Sequence, residues 1–268
     1  MKSTKFIKET SLAATILLLV IFCGINTAEA KDSTDTVNKW QYEFTIYGWL
    51  PSLDGTMKFG VPPADGSNVS LDVSNLLDSL NFVFMGTFVA QKNKLSYAVD
   101  LIYMDVSNSK STTINIGPGP GVPVGVSAGL GLKTWVVTGH VGYEVKKTDK
   151  TFMAVLGGIR YLDLSGDLDF TIVAPPPVYA SESKDFWDGI IGIKGGIMLN
   201  ENWYIPYYAD IGTGQSNMTW QLYAGIGYLF SWGDIKLAYR YLEYDQDDDE
   251  LVQDLKLYGP QIGIGFRF

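Results

Sequence analysis

The densest group of potential ligand atoms is an acidic segment near the C-terminal end of the chain. Clusters of carboxylate oxygens suit Ca²⁺ or Mg²⁺. The spacing lacks the glycine and the distal glutamate of an EF-hand loop, so a solvated acidic loop is the alternative interpretation. A bound cation here would bridge the protein to neighbouring phosphate groups. The candidate metal ligands are Asp245, Asp247, Asp248, Asp249 and Glu250.

His140 is the only histidine and the natural candidate for a general base. Such a base needs a nucleophile or an acid within hydrogen-bond reach. No serine in a recognisable motif accompanies it, and Glu144 lies four residues further along the same strand face, which is too far for a direct pair. The sequence also lacks a glycine-rich loop followed by a helix, so nothing in it indicates nucleotide binding. We therefore expect no enzyme and no cofactor, although an enzyme that acts on lipid with carboxylates alone stays open.

A larger set of charged residues falls on one face of predicted strands. Alternate side chains of a strand point to opposite faces, and in these strands the other face is apolar. Acids and bases nearly balance in this set. If the strands close into a barrel, as proposed below, these residues form either an ion-paired core that blocks the lumen or the lining of a narrow pore. The predicted lumen residues are Glu43, Asp100, His140, Glu144, Arg160, Lys194, Asp210, Lys236, Arg240 and Arg267.

Ten segments have the roughly 9–11 residues that a tilted membrane strand requires. The predicted strands are Trp40–Leu50, Asn81–Gln91, Leu95–Val106, Ala128–Val145, Thr151–Leu164, Asp188–Leu199, Trp203–Gly212, Met218–Phe230, Ile235–Tyr244 and Leu255–Phe268. Short polar turns alternate with mostly longer connections at 51–80, 107–127, 165–187, 213–217 and 245–254. This alternation predicts an all-β fold, a transmembrane antiparallel up-and-down β-barrel of ten strands, with eight or twelve as alternatives.

The first connection, 51–80, is the longest. It contains two short strand-like stretches, 55–59 and 69–73, which predict a small hairpin above the membrane. The following stretch, 74–80, predicts a short helix with Ser74 as its N-cap.

Tryptophans fall at both ends of the predicted strands, as two interfacial girdles require. Trp40, Trp203 and Trp232 lie near the short turns, and Trp135, Trp187 and Trp220 lie near the long connections. Trp49 also lies near a long connection but has inward parity, unless a bulge at Gly48 turns it outward.

The N-terminus predicts export. Three lysines precede an apolar stretch from Leu12 to Ile25, and Ala28-Glu29-Ala30 has the form of a cleavage site. We expect residues 1–30 to be a cleaved signal peptide and 31–268 to be the barrel domain. The only cysteine, Cys23, lies in the signal, so the processed chain would have no disulfide.

The last residues carry a resemblance to a known class. Apolar side chains alternate up to a terminal aromatic residue, at Tyr258, Ile262, Ile264, Phe266 and Phe268. This segment resembles the closing strand of bacterial outer-membrane β-barrel proteins. The resemblance implies residence in the cell outer membrane, contact with its lipid and lipopolysaccharide, and recognition of the last strand by the barrel assembly machinery.

The formal net charge of −9 argues against nucleic acid as a partner, since nucleic acid requires a basic surface. Our leading hypothesis is a non-enzymatic outer-membrane protein, either structural or a narrow passive channel for small solutes. The alternative is a surface binding module, in which the barrel displays the long connections 51–80 and 165–187.

Overall fold

The structure is a computed structural model of the chain. It describes residues 39–57, 67–71, 80–116, 122–172, 178–246 and 252–268. These residues form strands, turns and extended segments. Within these ranges there is no helix with the length and apolar character needed to cross a membrane.

Twelve strands are present in the described ranges, and four of them exceed 20 residues. They are β1 (Gln41–Trp49), β2 (Ser52–Met57), β3 (Ser67–Leu71), β4 (Leu80–Lys92), β5 (Leu95–Ile116), β6 (Val122–Lys147), β7 (Thr151–Ile172), β8 (Val178–Met198), β9 (Trp203–Gly214), β10 (Met218–Leu229), β11 (Gly233–Asp245) and β12 (Val252–Arg267).

Ten of these strands close into one antiparallel barrel, which confirms the predicted fold. From β4 to β12 each strand pairs with the next, and β1 pairs with both β4 and β12. The last residue takes part in this closure, because Phe268 and Tyr42 exchange two backbone hydrogen bonds of 2.9 and 3.1 Å. Strands β2 and β3 form a hairpin that adds to β12, so the whole sheet has twelve strands around a barrel of ten.

Two predicted loops were wrong. Residues 107–127 and 165–187 continue the barrel strands in their described parts: β5 and β6 stay paired up to Ile116↔Val122, and β7 and β8 up to Phe170↔Val178. These segments are rich in Ser, Thr, Gly and Asp, which disfavour strands in isolation. A hydrogen-bonded neighbour satisfies their backbone groups, and this pairing outweighs the local preference.

The first connection contains the predicted hairpin. Strand β2 pairs with β3 from Leu53↔Leu71 to Met57↔Ser67, and β2 also pairs with β12. The predicted helix at 74–80 lies outside the described residues except for Leu80, which begins β4.

Aromatic residues form two bands on the outer face of the barrel. At the short-turn end, rings meet around Trp40 and around Trp203, Phe230 and Trp232. At the long-loop end, the outward rings form three contact groups: Phe82–Tyr103–Trp135, Tyr161–Trp187 and Trp220–Tyr241–Tyr258. These bands mark the two edges of the lipid-facing surface. We call them the short-turn girdle and the long-loop girdle.

Between the girdles the outer face is apolar and exposed, as at Val99, Val141, Ile191 and Leu237. Trp49 is the exception among the tryptophans because it points into the barrel and is 2% exposed. The β1–β12 register runs without a shift from Glu43 to Trp49, so no bulge occurs at Gly48.

Candidate functional site: the barrel lumen

The side-chain pattern of the barrel inverts at the long-loop girdle. Between the girdles, inward residues are mostly polar and outward residues are apolar. Just beyond the long-loop girdle, where side chains are described, inward residues are mostly apolar, with Thr134 and Gln246 as polar exceptions, and outward residues are mostly charged or polar. In β7, Tyr161 is followed by buried Leu162, partly exposed Asp163 and buried Leu164. The same change occurs in β11, where Tyr241 precedes buried Leu242, partly exposed Glu243 and buried Tyr244.

Buried apolar side chains fill the lumen at and beyond the long-loop girdle. We call this cluster the apolar plug. Nearly every strand of the barrel contributes to it, and four of its members are fully inaccessible to solvent: Ile102, Val136, Leu242 and Leu257. The plug consists of Tyr47, Trp49, Met85, Ile102, Met104, Val106, Leu132, Val136, Leu162, Leu164, Phe186, Leu242, Tyr244, Leu255 and Leu257.

On the short-turn side of the plug, and next to it, Arg160 forms a fully buried ion pair with Asp210. The same guanidinium donates hydrogen bonds to Thr138 Oγ1 at 3.2 Å and to Thr219 Oγ1 at 3.1 Å. Thr219 in turn donates to the carbonyl oxygen of Glu243 at 3.0 Å. The arginine side chain thus reaches across the lumen from β7 to β9 and β10.

A second arginine, Arg240, lies under the same plug on another side of the lumen. It donates to Asp100 Oδ2 at 2.8 Å, to the Tyr47 hydroxyl at 3.0 Å and to Gln221 Oε1 at 2.7 and 3.1 Å. Its guanidinium also lies 5.0 Å from the ring centroid of Trp49. Trp49 and Arg240 therefore join the plug to the charged part of the lumen.

The short-turn end of the lumen holds a four-residue ion-pair network. Lys236 Nζ lies 2.7 Å from Glu43 Oε1 and 3.3 Å from Asp234 Oδ1. Arg267 contacts the same two carboxylates at 3.0 and 2.8 Å. Tyr204 adds a hydrogen bond of 2.6 Å to Asp234 Oδ2. These pairs connect β1, β11 and β12 at the place where the barrel closes.

Lys194 differs from the other lumen cations. Arg160, Lys236, Arg240 and Arg267 each form an ion pair with a lumen carboxylate. Lys194 has no carboxylate partner within 4 Å among the described residues. Its ammonium instead lies 3.4 Å from His140 Nε2.

Other predicted site residues lie elsewhere. Glu144 lies at the short-turn rim, 3.9 Å from the exposed ammonium of Lys147. Of the predicted cation ligands, only Asp245 is described, while 247–250 lie outside the described residues. No group of three or more His, Cys, Asp and Glu in the described part of the chain could hold a metal ion. The residues predicted for the closing strand face outward, and Ile262, Ile264, Phe266 and Phe268 are exposed.

Sequence reasoning missed several residues of the lumen networks. Asp234 has the same parity as Lys236 but lies just before the predicted strand Ile235–Tyr244. Tyr47, Thr138, Thr219 and Gln221 also have inward parity, but neutral hydrogen-bonding side chains on an inner face do not signal their partners. The plug had a visible signal, since its strands carry apolar residues at inward positions next to outward acids.

No family model matches this chain, and no curated protein is significantly similar to it in sequence. Several solved structures are similar in fold. The outer-membrane protease OmpT of Escherichia coli is 8% identical, with 88% of this chain and 99% of that chain covered and a TM-score of 0.45. The translocator domain of the autotransporter NalP of Neisseria meningitidis is 12% identical, with 98% of each chain covered and a TM-score of 0.42.

The attachment invasion locus protein Ail of Yersinia pestis, solved with a heparin analogue, is also similar. It is 12% identical, with 86% of this chain and 99% of that chain covered and a TM-score of 0.32. The strands of this chain close into an antiparallel up-and-down β-barrel of ten strands.

Proposed function

We propose that this protein is a closed barrel of the bacterial outer membrane that presents a strand-built extension outside the cell. The observation that carries this proposal is the apolar plug. Its outward neighbours are polar, including Asp105, Lys133 and Asp185. A β-sheet with one face in water has apolar side chains on its inner face and polar side chains on its outer face. The part beyond the long-loop girdle is therefore built like a water-exposed domain with a packed core.

A narrow passive channel is the competing function. It would need a continuous water path past Arg160, Arg240 and Lys194. The first two side chains are at most 4% exposed and are held by several hydrogen bonds each. Above them the lumen is filled mostly by the hydrocarbon side chains of the plug, which offer water few hydrogen bonds. These contacts favour a closed lumen over a channel.

The extension is large enough to serve as a contact surface. In β5, 13 residues separate the girdle residue Tyr103 from Ile116. At about 3.3 Å per residue and a strand tilt of about 40°, this length raises the extension roughly 30 Å above the girdle. Strands β6, β7 and β8 pair alongside β5. We infer that partners of the protein bind this four-stranded extension and the β2–β3 hairpin.

Lipopolysaccharide is the proposed neighbour on the outer face. Lys133 and Lys256 lie on that face one step beyond Trp135 and Tyr258 of the long-loop girdle, and the Lys256 ammonium also lies 3.7 Å from Glu243 Oε1. Ammonium groups at this level suit the phosphates of the outer leaflet. We propose no catalytic role for His140, whose ring contacts Lys194 and Tyr208.

Cysteine labelling of intact cells tests the orientation and the display. Cys23, the only cysteine, lies in the proposed signal peptide, so a new cysteine can be labelled alone. Asp167→Cys introduces a thiol at an exposed site of the extension, and Asp149→Cys introduces one at an exposed short turn. We expect a membrane-impermeant maleimide to label D167C on intact cells, and D149C only after the outer membrane is permeabilised. The reverse result would overturn the proposal.

A further inference from the structure

Among the described residues of the lumen, one cationic group has no carboxylate within 4 Å, and its surroundings supply hydrogen-bond donors. We propose that Lys194 and His140 form a binding site for a small oxyanion, such as phosphate or a carboxylate, in the short-turn half of the barrel. This inference does not depend on what the extension binds.

The first step is the position of Lys194. It lies on β8, four residues before the strand ends at Met198 next to the short turn. Its side chain crosses β7 and runs over Gly142 of β6. A Cβ atom at position 142 would lie 3.1 Å from Lys194 Cε and 2.6 Å from Ser96 Oγ. The glycine therefore leaves room for the lysine stem, which directs the ammonium towards His140.

The second step is the hydrogen-bonding capacity of the pair. An ammonium only donates, so its contact with His140 Nε2 makes that nitrogen the acceptor. The hydrogen of the neutral imidazole is then assigned to Nδ1. His140 Nδ1 is buried and has no hydrogen-bond partner among the described residues. A buried donor without a partner is costly and calls for a bound water or ligand.

The third step is the shortage of acceptors. Lys194 has two further N–H groups, and its direct cross-strand neighbour is Tyr208, whose hydroxyl group can also donate. The carboxylate whose charge acts on Lys194 is that of Glu43, which is already paired with Lys236 and Arg267. A group of donors that carries a positive charge and has no carboxylate in direct contact among the described residues fits an anion with several acceptor oxygens.

The fourth step is access. Lys194, His140 and Tyr208 are partly exposed, whereas Arg160 and Asp210 above them are buried. Solvent therefore reaches the edge of the site, though not the His140 Nδ1 atom itself, from the short-turn end and not through the plug. A small anion can enter from that side, which is the periplasmic side in the proposed orientation.

The single histidine provides a specific probe. The imidazole ¹H–¹⁵N signals of the folded protein, purified with a histidine-free tag in uncharged detergent, come from His140 alone. Sodium phosphate is titrated at fixed pH, and sodium chloride of matched ionic strength is the control. Because the micelles contain no anionic lipid, any phosphate-specific change comes from the free anion. We expect a saturable shift of the His140 signals with phosphate and none with chloride.

Variants test whether Lys194 supplies the charge. Lys194→Met should abolish the phosphate shift, while Lys194→Arg should retain it. Lys147→Met is the matched control, because Lys147 is a highly exposed lysine at the same end of the barrel. If K194M does not fold, Lys194→Gln replaces it with the same expectation. A shift that persists in K194M or K194Q, or that chloride reproduces, would overturn the site.

Discussion

The two parts of the lumen are closed by different forces. Beyond the long-loop girdle, the plug is closed by packed apolar side chains such as Leu162 and Leu242. Between the girdles, the lumen is closed by paired charges such as Arg160 and Asp210. The same strands run through both parts and invert their polarity where lipid gives way to water. The surroundings of the outer face thus decide which kind of side chain can fill the inside.

This comparison implies unequal contributions to stability. Burial of apolar side chains is favourable in itself. A buried ion pair must first offset the desolvation of both charges, so its net contribution is small even when the loss of one partner is costly. We therefore expect the plug to supply stability and the ion pairs to supply a defined arrangement of strands.

The largest effect is expected from truncation within the plug. The double variant Leu162→Ala/Leu242→Ala removes two side chains that are at most 1% exposed. Each change should cost about 2–5 kcal/mol of the free energy of unfolding, because it leaves a cavity. Denaturant unfolding in detergent, followed by tryptophan fluorescence, measures the loss.

The matched control makes the same two changes on the lipid face. Leu222→Ala/Leu237→Ala alters residues that are 50% and 56% exposed. These changes leave no internal cavity but still lose the transfer of the removed carbons from water to detergent, so each should cost about 1–2 kcal/mol, less than a truncation in the plug. Equal losses in the two double variants would contradict a packed plug.

The next effect concerns the buried pair. Arg160→Met leaves Asp210 buried without its counter-charge and should cost about 3–5 kcal/mol. The double variant Arg160→Met/Asp210→Leu removes both charges and should regain most of that loss. The same unfolding experiment measures both. If the double variant is as unstable as R160M, the ion pair itself makes a large net contribution to the free energy of unfolding, contrary to our expectation.

A smaller effect is expected where charge is kept but geometry is lost. Arg240→Lys keeps a cation near Asp100 but cannot also reach Gln221 and Tyr47 with a planar fork. We expect a loss of about 1–3 kcal/mol from the missing hydrogen bonds. An unchanged unfolding midpoint would mean that the charge alone matters at this position.

The smallest effect is expected at the rim. The Arg267 side chain is 46% exposed, so solvent screens its pairs with Glu43 and Asp234. Arg267→Gln should cost about 1 kcal/mol or less, and the difference from wild type should shrink as salt concentration rises. Unfolding at low and high ionic strength checks this. A large loss that salt does not reduce would place this ion pair with the buried ones.

Much of the fold was predictable because strand alternation directly reports the two faces of a membrane barrel. The number of barrel strands, the inward parity of Trp49 and the outward parity of Ile191 follow from this period. The long extension was not predictable, since segments such as 165–172 are poor strands until a neighbour pairs with them.

The site was only partly predictable. Parity placed Arg160, Lys194 and Arg240 on the inner face, but it carries no information on which strands lie opposite. Partners such as Asp210 for Arg160 depend on the curvature and register of the closed barrel. The absence of a carboxylate within 4 Å of Lys194 in the described part of the chain could therefore only emerge from the three-dimensional arrangement.

The most direct test of the closed lumen is the conductance of the purified protein in planar lipid bilayers. With the plug packed and Arg160 and Arg240 paired, we predict no reproducible stepwise currents from the wild-type protein across the accessible voltage range. Reproducible single-channel current steps from correctly folded protein would contradict the closed barrel and support the narrow channel instead.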